Sequence, residues 1–189
     1  MNTSRVLEVF CLYAGLPLSL RGPQASPVSL LSDDLGDSTE PQADPRDEVG
    51  KSKSAPVRIL VVEDHPLARK TISDLLRAEN GFEVIGEARN GLEGTSEAQK
   101  LQPDIVVLDV TMPILGGIEA ASRIRAGAPN ARIVFLSQHN SRGIADAALA
   151  TGAHGYVVKA SAGTDLVRAI RSAVTGEKFV SQLSSRAER

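Results

Sequence analysis

The stretch Ile105-Val106-Val107-Leu108-Asp109-Val110-Thr111-Met112-Pro113 decides how this chain folds. Four aliphatic residues run unbroken into one carboxylate, and a proline stops the element four residues later. An apolar run with no alternation is the pattern of a strand buried on both faces, as in a parallel sheet. Asp109 then falls at the carboxyl end of that strand, the edge where open α/β sheets gather their ligands. An isolated aspartate at a strand end often only begins a turn, so the rest of the chain has to give it meaning.

On the amino-terminal side, Val57-Arg58-Ile59-Leu60-Val61-Val62 predicts another buried strand, ending in the acidic pair Glu63-Asp64. Pro66 suits the first turn of a following helix, and Ile72, Leu75 and Leu76 recur at helical spacing until Asn80-Gly81. Phe82–Ile85 is expected as a short strand. Asn90-Gly91 is expected to open a helix through Ala98, with Leu92 and Leu101 on its buried face. On the other side, Gly116-Gly117 precedes a predicted helix over Ile118–Arg125, and Arg132–Leu136 predicts a fourth strand ending at Ser137. An alanine-rich helix over Ile144–Ala150 and a fifth strand over His154–Val158, ending at Lys159, follow. Thr164 is expected to cap a last helix through Val174, with Leu166, Val167 and Ile170 inward. Five strands alternating with five helices predict an α/β fold, a five-stranded parallel sheet wrapped on both faces.

In such a sheet the strand ends share one edge, so Glu63, Asp64, Asp109, Ser137 and Lys159 converge. Three clustered carboxylates raise one another's pKa unless a cation accompanies them. A hard, oxygen-ligated ion such as Mg²⁺ resolves the repulsion and keeps waters open for a phosphate oxygen. Lys159 adds a charge that can neutralise phosphoryl oxygens or pair with Asp109, and Ser137 can donate a hydrogen bond to a phosphoryl oxygen. A carboxylate in this company is equipped to attack phosphorus and form an acyl phosphate.

With Val-Val-Glu-Asp-His-Pro at 61–66, Asp-Val-Thr-Met-Pro at 109–113 and Gly-Tyr-Val-Val-Lys at 155–159, the chain resembles the response-regulator receiver domains of two-component signalling. The resemblance covers residues 57–178 and implies a flavodoxin-like, three-layer doubly wound sheet with strand order 2-1-3-4-5. It implies that Asp109 is the phosphoacceptor, that Glu63, Asp64 and Asp109 bind Mg²⁺ together with the main-chain carbonyl of Thr111, and that Lys159 assists. It further implies Ser137 as the switch hydroxyl and Tyr156 as the switch aromatic, turning inward on phosphorylation. Where many receivers carry proline after this lysine, in a cis peptide, Ala160 stands here. A cis bond before alanine costs about 3–4 kcal/mol, so the loop after Lys159 is expected to differ. Lys-Ala-Ser at 159–161 is closest to the subfamily that usually carries a carboxyl-terminal helix-turn-helix.

The first 56 residues look foreign to the remainder. They hold six of the ten prolines and five basic against eight acidic side chains, leaving 16 basic and 15 acidic beyond. From Gly22 to Lys53 few apolar residues are available to offset ordering entropy, and residues 1–56 are expected to be a disordered tail or the product of a start assigned too far upstream. The apolar stretch Val6–Leu20 is too short, and too broken by Glu8 and Pro17, for a membrane span. Residues 179–189 are expected as a carboxyl-terminal tail without an output domain.

A net charge of −2 gives no argument for nucleic acid or a membrane as main partner. The single cysteine, Cys11, excludes an internal disulfide and a multi-cysteine zinc site, and favours a cytoplasmic setting. His65, His139 and His154 lack metal-ligand spacing; the first two are read as bystanders flanking the site and the third as a surface or core-packing residue. The expected function is a phosphorelay receiver, not a turnover enzyme, taking phosphoryl from a histidine kinase or phosphotransfer protein and switching an interaction face. That face is expected to be helix four, strand five and helix five, with a homodimer among the outcomes. The alternatives are the receiver half of a DNA-binding regulator, a phosphorylation-silent docking module, or an aspartate-nucleophile phosphohydrolase. Thr111, where an Asp-x-Asp pattern would need aspartate, argues against the last.

Overall fold

The computed structural model describes residues 55–183. The expectation of a disordered or mis-assigned segment over 1–56 therefore lies almost wholly outside the described residues, as does the end of the expected tail. In chain order the elements are β1 (Val57–Val62), α1 (Pro66–Arg77), β2 (Phe82–Ala88), α2 (Gly91–Leu101), β3 (Ile105–Asp109) and α3 (Gly117–Gly127). Then come β4 (Arg132–Ser137), α4 (Arg142–Ala150), β5 (Gly155–Val158), a 3₁₀ turn (Lys159–Ser161), α5 (Ala162–Thr175) and β6 (Phe179–Val180).

All strand pairs are parallel, in the order β2-β1-β3-β4-β5-β6. Strand periodicity sorts the apolar runs onto two faces. Ile59, Val61, Ile105, Val107, Val134, Leu136 and Val157 pack with Ile72 and Leu76 of α1 and Leu166 and Ile170 of α5. Their neighbours Leu60, Val62, Val106, Leu108, Ile133, Phe135 and Tyr156 face the other way, onto alanines and Ile124 of α2, α3 and α4. Both faces are covered, which is why the central strands show no polar alternation.

The sheet has six strands where five were expected. Gly176, at φ 87°, ends α5 in the left-handed region and turns the chain back beside β5. There the Phe179 amide donates to the His154 carbonyl (3.0 Å) and the Ser181 amide to the Tyr156 carbonyl (2.9 Å). The sheet thus continues past residue 178. A two-residue strand is too short to leave a periodic signal in sequence.

Other expectations shift for local reasons. β2 runs on to Ala88, with a register irregularity opposite Ile59 and Leu60. Leu92 is 53% exposed rather than buried. The inner face of α2 is instead Gly91, Gly94 and Ala98, because the helix lies so close to β1 that a Cβ on Gly94 would come within 2.8 Å of Val62. Thr164 does not cap α5: the helix starts at Ala162, and the Thr164 hydroxyl donates back to the Ser161 carbonyl at 3.0 Å. Among the described residues there is no cis peptide bond, so Lys159–Ala160 is trans and opens directly into the 3₁₀ turn.

Candidate functional site

The carboxyl edge of the sheet brings the charged residues together. Asp109 and Ser137 are the last residues of β3 and β4, Glu63 and Asp64 follow β1 directly, and Lys159 follows β5. The registers align these ends, Asp109 pairing with Leu136 and Val62 with Leu108.

Lys159 is the centre of the cluster. Its Nζ lies 2.7 Å from Asp109 Oδ2 and 2.8 Å from Glu63 Oε2, and none of the three side chains is more than 4% exposed. Each carboxylate also accepts one backbone amide, Asp109 Oδ1 from Thr111 (3.2 Å) and Glu63 Oε1 from His65 (3.4 Å). Thr111 thus reaches Asp109 through its amide, and the role expected of its carbonyl is not among these contacts.

Burial dominates the electrostatics. Desolvation, and then the charge of Asp109, push the Glu63 carboxyl up to about 7 in spite of Lys159. Burial likewise raises Asp109, against the pull of Lys159. The Lys159 ammonium is disfavoured by burial, but Asp109 and then Glu63 outweigh that and its pKa stands above the usual lysine value. Two buried carboxylates share one buried cation, and Asp64 adds a third acid at the partly exposed rim.

Ser137 and Tyr156 form a second, linked pair. The Ser137 hydroxyl, fully buried, accepts the His139 amide at 3.0 Å, and the Tyr156 hydroxyl donates to the His139 carbonyl at 2.8 Å. The Tyr156 ring already stands inward, wholly buried, and burial raises its phenol above the ordinary value. The His139 backbone is the joint between the two residues, although its ring is exposed. His65 caps α1, its Nδ1 accepting the Ala68 amide at 3.4 Å. His154 stands at the opposite edge of the sheet, before β5, and is half-buried.

Three contributors escape a sequence reading. Arg69 on α1 donates to the Glu63 carbonyl at 2.7 Å. A Cβ at Gly117, first residue of α3, would collide with the Asp109 carbonyl, while the Gly117 amide donates to Val110 at 3.0 Å. Ser181 anchors the strand beside Tyr156. Only the Gly116-Gly117 doublet left a signal, and it indicates a turn rather than a close approach.

The donor set fits a hard divalent cation. Glu63, Asp64 and Asp109 each offer a carboxylate oxygen within 4.8 Å of the others, two of them in nearly dry surroundings with more negative than positive charge. Among the described residues no helix is long and apolar enough to cross a membrane.

Comparison with known proteins agrees with this geometry. Residues 59–171 match the response regulator receiver domain. The chain is 35% identical over 131 residues to the nitrate/nitrite response regulator NarL of Escherichia coli, covering 69% of this chain but only 61% of that protein. A LuxR-family two-component response regulator from Aurantimonas superposes with TM-score 0.63 at 37% identity, over 66% of this chain and 89% of that one. The response regulator RcsB of Salmonella typhimurium, solved in a study of its conformational dynamism for DNA interaction, gives TM-score 0.63 at 26% identity, over 68% and 65%. With the motif residues gathered at one sheet edge and a family match across most of the described residues, this chain belongs to the response regulator receiver domain family.

Proposed function

We propose that this receiver accepts a phosphoryl group from a histidine kinase or phosphotransfer protein on Asp109, with Mg²⁺ held by Glu63, Asp64, Asp109 and the Thr111 carbonyl. The observation that carries this is the buried Lys159 ammonium, 2.7 Å from Asp109 and 2.8 Å from Glu63. A carboxylate oxygen of Asp109 forms the new O–P bond as the P–N bond of a phosphohistidine breaks, and the electron pair stays on the imidazole nitrogen. Lys159 orients Asp109 before transfer and is placed to donate to a phosphoryl oxygen afterwards. The bound cation would neutralise charge on the phosphoryl oxygens.

Ser137 would then exchange the His139 amide for a phosphoryl oxygen. Because His139 is also held by the Tyr156 hydroxyl, that exchange reaches β5 and biases the face built from α4, β5 and α5. A partner protein or a second copy of the chain would read that face.

The test is intact-mass spectrometry after acetyl phosphate treatment, with and without Mg²⁺, on wild type and Asp109→Ala. The expected result is an adduct of about 80 Da that needs Mg²⁺ and Asp109, as acyl phosphate formation requires. A folded wild type that takes up no phosphoryl group, from acetyl phosphate or from phosphoramidate, would leave the silent docking module.

A second reading is favoured by coverage. The chain spans 61% of the length of NarL, and RcsB, of which it spans 65%, is described in terms of DNA interaction. In that reading this is the receiver of a longer DNA-binding transcriptional regulator. A helix-turn-helix encoded in frame immediately downstream decides for it.

A further inference from the structure

We propose that Arg69 is a positioning residue for the cation site, holding the acidic turn in place through its backbone; this rests on the Mg²⁺ reading above. Glu63 and Asp64 lie just past the end of β1, where the sheet no longer fixes the chain on both sides. The Glu63 amide still donates to the Ala88 carbonyl at 3.0 Å. Beyond that bond, the turn is gripped by Arg69. Its Nη1 donates to the Glu63 carbonyl at 2.7 Å and makes a longer, 3.4 Å contact to the Asp64 carbonyl. Its Nε lies 3.6 Å from Glu87 Oε2 near the end of β2, and Glu87 in turn holds Arg77 at 3.0 Å. The Arg69 side chain is only 19% exposed. One rigid guanidinium therefore links the helix, the neighbouring strand and the turn that carries two of the three acids.

Two effects of Arg69 on a bound cation oppose each other. Its charge repels a divalent ion, and its fork fixes the ligands that attract it. If charge dominated, Arg69→Ala would tighten Mg²⁺ binding and Arg69→Lys would change nothing. If positioning dominates, both variants weaken binding, because lysine keeps the charge and loses the planar fork. The stronger of the two bonds from Arg69 goes to the carbonyl of the buried Glu63, and Glu87 lies beside its charge, so positioning outweighs repulsion. Residues that orient metal ligands typically contribute about 10–100-fold to affinity. Arg69 acts on the ligands' backbone rather than their carboxylates, so the lower end, about tenfold, is the expected loss.

The experiment is calorimetric Mg²⁺ titration of the full chain as wild type, Arg69→Lys, Arg69→Ala and Glu87→Gln, with urea midpoints measured in EDTA. Both Arg69 variants should bind Mg²⁺ about tenfold more weakly, and Glu87→Gln a few-fold more weakly. At saturating Mg²⁺, acetyl phosphate should still label Arg69→Lys, so the loss lies in cation binding. Wild-type affinity in Arg69→Lys, or tighter binding in Arg69→Ala, overturns the proposal. Should Arg69→Ala fail to fold, Arg69→Lys decides, because it keeps the charge and loses the planar fork. A wild type that binds no Mg²⁺ sinks the cation reading itself, and with it this inference.

Discussion

Glu63 Oε2 lies 2.8 Å from the Lys159 ammonium in a setting where Glu63 is only 1% exposed, yet its carboxyl titrates near 7. The partner is close, but desolvation and the nearby Asp109 charge win. A folded-state value above the ordinary 4.5 means that the fold holds this proton more tightly than the unfolded chain does. The stability so contributed is complete below about 4.5 and is lost as pH rises through about 7. In EDTA, this group should therefore make the chain less stable at pH 8.5 than at pH 5, by on the order of 2 kcal/mol. Urea melts of wild type and Glu63→Gln at the two pH values check this. His154, depressed by burial and then by Arg132, works in the opposite sense near its ordinary 6.5, and Asp109, raised by burial, works in the same sense, so the difference between the two proteins reports Glu63 together with its interaction with Asp109. An equally large pH dependence in Glu63→Gln would place the titrating group elsewhere. Added Mg²⁺ should stabilise wild type more at pH 8.5 than at pH 5, because the cation takes the place of the proton.

Gly116 and Gly117 are adjacent in sequence and opposite in tolerance. A Cβ at Gly116 finds only the Val110 carbonyl, at 3.9 Å, whereas one at Gly117 collides with the Asp109 carbonyl itself. Gly117→Ala should cost about 1–3 kcal/mol, the usual range for overpacking, and displace Asp109, slowing any labelling by acetyl phosphate. Gly116→Ala, at an N-cap where glycine gives no side-chain bond, should cost roughly 0.5 kcal/mol or less. Chemical denaturation and labelling rates measured side by side test the contrast. Equal behaviour of the two variants would mean that α3 can slide away from Asp109 at little cost.

How far the site was readable follows from what each residue depends on. Asp109, Lys159 and Glu63 end apolar runs that only a parallel sheet can bury, so strand periodicity alone brought them to one edge. Arg69 and Ser181 act on backbone atoms of other elements, and a backbone acceptor leaves no mark on the sequence that supplies it. Leu92 faces outward, against its periodicity, because a helix packed through glycine and alanine turns its larger apolar side chain away from the sheet. The periodic rule weighs side-chain size, and here the close approach of backbones decided the face.

Ser181, just past the sixth strand, ties it to α5 and β5 in addition to its backbone pairing. The buried Ser181 hydroxyl donates to Asp165 Oδ2 at 2.6 Å and accepts the Val158 amide at 3.3 Å, one residue before Lys159. Ser181→Ala leaves that amide unsatisfied and takes the donor from Asp165 Oδ2, while Asp165 Oδ1 keeps Thr164 and Arg168, a loss of about 1–3 kcal/mol. Hydrogen exchange should show faster exchange at the Phe179 and Ser181 amides, which bond to His154 and Tyr156. Unchanged protection there would mean that the backbone pairing of β6 holds without the hydroxyl.

Ile114 is the strained residue of the loop after Asp109. It sits at φ 71°, a left-handed conformation that disfavours β-branched side chains, and it is 78% exposed, so burial offsets little of the cost. Such residues cost roughly 1–3 kcal/mol when held by their surroundings. The surroundings here are plain: the Leu115 amide donates to the Pro113 carbonyl at 2.8 Å, and Met112 and Leu115 are buried on either side. Ile114→Gly removes the strain, while the greater freedom of glycine in the unfolded chain offsets part of the gain. The expected net effect is stabilisation by about 1 kcal/mol, with Asp109 labelling by acetyl phosphate unchanged because no contact of the cluster passes through this side chain. Ile114→Ala relieves less and should fall between wild type and glycine. A destabilised glycine variant would show that the isoleucine side chain contributes contacts outweighing its backbone strain.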